Sequence, residues 1–149
     1  FQDKEFEKAK EYFIRASQAQ QDSASFALLG STYYKTGDMA NAELSILGAE
    51  KIDRNSYYRL RIFGYKSLLM LRKNKSEGFD ALRQYVLFLK ALNLPFDTHD
   101  MNLMIDTKRV DIGILETKIE EQSIWYENEM ERFNAGEPCY FTEKLDRAM

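Results

Sequence analysis

With 149 residues, 44% of them apolar and 30% charged, the chain is long enough to bury one core and too apolar to stay disordered. Two prolines and seven glycines leave long uninterrupted runs of good helix formers, which excludes a strand-rich fold in favour of an all-α one. The net charge of −3 hides a division: Arg54 to Lys75 holds seven cations and no acid, whereas the acids crowd the chain after Val110.

The first predicted helix, Phe6 to Ala16, sets Ala9, Phe13 and Ala16 at intervals of four and three, on one face. The next runs through Phe26, Leu29, Gly30 and Tyr33 to the turn Lys35-Thr36-Gly37-Asp38. Gly37 suits the left-handed conformation that stops a helix, and Asp38 suits the cap of the one that follows. That third helix carries Ala42, Ile46 and Ala49 on one face. Gly30 and Ala42 are small enough for two antiparallel helices to approach closely, with Leu29, Tyr33 and Ile46 filling the space beside the contact.

Leu60, Phe63 and Gly64 recur 34 residues after Phe26, Leu29 and Gly30. Ala81, Tyr85 and Phe88 then keep the intervals of the second helix about five residues late, as if Tyr65 to Lys73 lengthens the helix before, with Ser76 as a cap. Beyond Leu94-Pro95 this pattern stops. Phe96 to Asp106 reads as a loop or short helix capped by Thr98 or Asp100. From Thr107, Ile112, Leu115, Ile119, Tyr126 and Phe133 predict a long amphipathic helix ending at Asn134-Ala135-Gly136. Pro138 sets off a last segment, Phe141 to Met149.

The aromatic-x2-Leu-Gly-x2-Tyr spacing of Phe26, Leu29, Gly30 and Tyr33, followed by Ala42, Ile46 and Ala49, resembles a tetratricopeptide repeat, with Phe26 where Trp is usual. The resemblance covers residues 23 to 54, 3 to 19 and 56 to 92; Arg54 and Asn93 stand near where the family often has Pro. It implies a right-handed α-α superhelix over residues 1–94, its first repeat incomplete because the chain opens on Phe1 inside a repeat. Residues 95–149 would add a loop, an amphipathic capping helix and a short tail. Phe6, Phe13, Phe26, Tyr33, Phe63 and Tyr85, at repeat spacing, are expected in the core.

The resemblance also implies a concave groove lined by the first helix of each pair. In this register the lining is Ala27, Ser31, Tyr34 and Lys35 from one repeat and Tyr58, Arg61, Tyr65 and Leu68 from the next. Some family members clamp a chaperone's C-terminal carboxylate with Lys, Asn and Arg; here Ala27 and Ser31, then Arg61 and Tyr65, hold those positions, so that clamp is not expected. Three tyrosines with Lys35 and Arg61 suit an acidic and apolar peptide or helix of a partner protein. The expectation is a non-catalytic scaffold or adaptor for complex assembly.

Other chemistry finds little to stand on. There is no Gly-rich phosphate loop, no paired His and no Cys–His arrangement, so no enzyme, cofactor or metal is expected. His99, between Asp97 and Asp100, lacks the second soft ligand a zinc site needs. Cys139 has no second cysteine to pair with in the chain. No apolar run approaches the roughly 18 residues of a membrane span. An RNA surface is an alternative, from the basic stretch interleaved with Tyr57, Tyr58, Phe63 and Tyr65. Two roles stand open for the acidic helix after Thr107: covering the end of the array, or reaching the Arg54 to Lys75 region and filling the groove in cis. A helix Phe6 to Ala16 without its partner also leaves room for self-association.

Overall fold

Gly37 and Asp38 build the first turn as their chemistry requires. In a computed structural model of the chain, which describes Lys8 and residues 22–53 and 57–142, Gly37 has φ +89°. Its N–H reaches Tyr34 O at 3.2 Å, and Asp38 N–H reaches Tyr33 O at 2.9 Å, closing the end of helix α1 (residues 22–36). The Asp38 carboxylate accepts from Asn41 N at 3.2 Å and starts helix α2 (Met39–Ile52). All regular structure among the described residues is helical. Apart from Lys8, the expected helix Phe6 to Ala16 lies outside the described residues, as do Arg54 and the residues from Glu143 onward.

The chain divides into two compact units, Phe1–Arg59 and Leu60–Met149. In the first, a Cβ on Gly30 would stand 2.6 Å from Ile46 Cδ1, so only glycine permits this crossing of α1 and α2 without displacing Ile46. Ala27, Ser31 and Tyr34 line the buried side of α1, and Ala42, Ile46 and Ala49 that of α2. Ser23 Oγ donates to Ala49 O at 3.3 Å. Phe26 and Leu29 depart from the core expected for them, with 41% and 43% of their surface exposed. Phe26 stands about a quarter turn, and Leu29 nearly half a turn, round α1 from the line that is buried.

The second unit, from Leu60, holds α3 (Arg59–Lys73) but for its first residue, and α4 (Lys75–Ala91), joined to it by Asn74 alone. Asn74, rather than Ser76, caps α4: its extended backbone aims Oδ1 at Ser76 N, 3.0 Å away, and at Glu77 N. The tight link presses the helices together, and a Cβ on Gly78 would lie 2.6 Å from Leu71 Cα. After a left-handed Asn93, helix α5 (His99–Thr107) forms with Asp97 accepting from His99 N at 2.8 Å. The long helix expected from Thr107 starts later. Lys108, at φ 54°, ends α5, and Asp111 accepts from Ile114 N at 3.2 Å to start α6 (Ile112–Asn134).

Helix α6 packs on α3 and α4. Leu115 and Ile119 are fully buried. Ile119 occupies the space that a Cβ on Gly64 would need, and the Tyr85 hydroxyl donates to Gln122 Oε1 at 2.7 Å. Phe88 meets Tyr126 edge-on at 6.1 Å. Gly136, at φ +73°, closes α6, and the chain folds back. Tyr140 N–H donates to Glu129 Oε2 at 2.8 Å, and the Tyr140 hydroxyl to Asn93 O at 2.6 Å. Trp125 stands edge-on to both Phe96 and Tyr140.

Candidate functional site

Arg61 and Tyr65 lie one turn apart on α3, so their side chains share a face. Glu120 and Glu127 lie two turns apart on α6 and present two carboxylates to that face. Arg61 Nε donates to Glu127 Oε2 at 2.8 Å and Nη2 to Glu127 Oε1 at 2.9 Å, a bidentate pair. Nη1 donates to Glu120 Oε2 at 2.8 Å, and the Tyr65 hydroxyl donates to the same oxygen. The guanidinium also stands 6.0 Å from the centroid of the Tyr65 ring.

Burial works against the Arg61 charge, since only 3% of its side chain is open to water. Hydrogen bonds and attraction from Glu127, then Glu120, more than offset that, and hold the guanidinium protonated well beyond its ordinary range. Beside this cluster, burial pushes the Tyr85 hydroxyl far above the usual tyrosine value, so it stays a neutral donor to Gln122.

Of the eight residues expected to line a groove, Ala27, Ser31, Tyr34, Arg61, Tyr65 and Leu68 are buried. Tyr58 is half-buried, edge-on to Tyr57, and Lys35 is exposed. The structure brings Arg61 and Tyr65 together under α6 rather than on an open surface. The acidic and apolar chemistry expected of a partner is supplied by the chain's own Glu120, Glu127 and Ile119. Sequence reading had joined the acidic helix to the basic stretch as one of two roles without picking out these side chains. The signal available was the seven-residue spacing of the two glutamates, which sets both on one flank of the apolar stripe.

The basic stretch is likewise partly engaged. Arg59 Nε lies 3.2 Å from Asp53, and with Arg61 and Tyr65 under α6, two cations and one ring are withdrawn from any RNA surface. Among the described residues no three His, Cys, Asp or Glu side chains converge where a metal could sit. None of the helices among them is long and apolar enough to cross a membrane.

Apolar surface remains open on the first unit. Phe26 lies against Gly48, within 4.0 Å of where a Cβ would stand, and Leu44 projects one turn before Gly48 on the same side of α2. Phe26, Gly48 and the 71% exposed Leu44 thus form one strip across both helices, with Leu29 exposed further round α1. Comparison with protein-family models, curated proteins and solved structures yields no match to the chain.

Proposed function

We propose that the chain is a non-catalytic adaptor of tetratricopeptide-repeat type, whose first unit holds a helical segment of a partner protein. Two features support the repeat reading: the helix pairs α1–α2 and α3–α4 follow the same order, and Gly30 and Gly64, 34 residues apart, both stand where another helix leaves no room for a Cβ. The observation that carries the function is the open strip of Phe26, Gly48 and Leu44. Apolar side chains aligned across two helices, rather than scattered, mark a surface that gains by being covered.

Magnitudes set what the partner must bring. Covering the exposed parts of Phe26 and Leu44 is worth about 1 kcal/mol each. That sum falls short of the ~4 kcal/mol or more lost on association, so the partner adds contacts around the strip. An amphipathic helix does this, with an apolar face for the strip and polar flanks for its edges.

The test compares the wild-type chain with Leu44→Glu and with Leu87→Glu, a control at a 63% exposed position of α4. Affinity capture from the native host's lysate should lose a defined partner with Leu44→Glu alone. Partners unchanged by Leu44→Glu would overturn this use of the strip. Loss of a homodimer instead, read by sedimentation, would identify the occupant as a second copy.

A further inference from the structure

A cleft of about 630 Å³ opens between α5 and α6, lined by Asp100, Leu103, Met104, Thr107, Arg109 and Ile114. The volume is that of a small-molecule site. Met104 forms a buried floor, whereas Leu103 and Ile114 keep 52% and 47% of their surface open. The left-handed turn at Lys108 brings Arg109 back to the mouth, where its backbone N–H is fixed to Met104 O at 3.2 Å. Among the described residues no carboxylate pairs with the Arg109 guanidinium, which is unusual beside so many acids. Asp100, by contrast, is already met by Lys118 Nζ at 3.4 Å.

We propose that this cleft binds a free amphipathic monocarboxylate, a medium-chain acyl anion whose head pairs with Arg109 and whose chain lies along Leu103, Met104 and Ile114. The guanidinium fork matches one carboxylate in bidentate fashion. Asp100 at the rim, though paired, disfavours a dianion such as a phosphate monoester, and the Arg109 guanidinium at the mouth repels an amine. A partner helix is a poorer fit. Helix α5, with nine residues, is about 13 Å long and offers too little track for one. The site is independent of the strip on α1 and α2, so either reading stands or fails alone.

The experiment is a titration of the full chain with octanoate, octanamide and octylamine, followed by amide chemical shifts. Octanoate should saturate, with its shifts confined to residues 100–118, and bind about tenfold more tightly than the other two. Arg109→Gln should remove the preference for octanoate over octanamide, and Leu103→Ser should weaken octanoate severalfold. Both positions are exposed, so folding is not at stake, and unchanged helicity checks this. Equal binding of octanoate and octanamide, shifts centred elsewhere, or no saturation below the onset of micelles would overturn the proposal.

Discussion

Arg61 is held by two carboxylates that are themselves only 22% and 14% exposed, so all three charges are largely withdrawn from water. Such a cluster differs from a surface ion pair in what happens when one member is removed. Arg61→Ala leaves Glu120 and Glu127 close together and largely buried without their cation, and should cost ~3–5 kcal/mol in urea denaturation. Replacing all three at once, by Arg61→Met with Glu120→Gln and Glu127→Gln, should recover most of that loss. A loss under ~1 kcal/mol for Arg61→Ala would mean that water already reaches the cluster. Arg61→Glu is for the same reason a folding probe rather than a clean probe of binding, whatever surface the protein uses. The run of cations around Arg61 is plain in the sequence, but which of them remain available is not. Arg59 and Arg61 are both engaged, one by Asp53 and the other by helix α6, some 60 residues further on. Local spacing carries no record of a contact so distant.

At the scale of elements, glycines set how closely the helices approach, and the atoms they meet decide what replacing them does. A Cβ on Gly78 would run into Leu71 Cα and N, which are backbone and cannot yield, whereas a Cβ on Gly30 would run into the Ile46 side chain, which can turn aside. Helix propensity favours alanine over glycine by about 1 kcal/mol at both sites. Gly78→Ala should therefore be destabilising by ~1–3 kcal/mol net, and Gly30→Ala distinctly less so, in thermal unfolding of the two variants. The reverse order would place the tightest crossing elsewhere. Element ends were legible wherever the chemistry is local. Gly37 and Asp38 form the turn that their types suggest, and Gly136 closes α6 at the expected place. The break between α5 and α6 was not, because a lysine takes the left-handed position where a glycine would have signalled it. Asp111, which caps α6, lies inside the stretch from Thr107 that reads as one helix. Phe26 and Leu29 show a further limit: repeat spacing located their face of α1 but not how far it is covered.

At the scale of the whole chain, α6 behaves as part of the second unit's core. Leu115 and Ile119 are fully buried, each contributing about 1.5–3 kcal/mol, and Gln122 completes the hydrogen bonding of Tyr85. Removing residues 107–149 should accordingly strip amide protection from α3 and α4 and make the remainder bind a hydrophobic dye. Intact protection together with tighter partner binding would instead make α6 a removable occupant of the α3 face. One helix thus both covers the α3–α4 core and neutralises Arg61. The bond from the Tyr140 hydroxyl to Asn93 O has a further consequence, for biosynthesis. It joins the beginning of the α5–α6 segment to its end, so this part of the fold cannot close until Tyr140 has left the ribosome. While α5 and α6 are still being made, α3 and α4 have emerged with Gly64 and Arg61 uncovered, a nascent interval in which a chaperone would find its substrate.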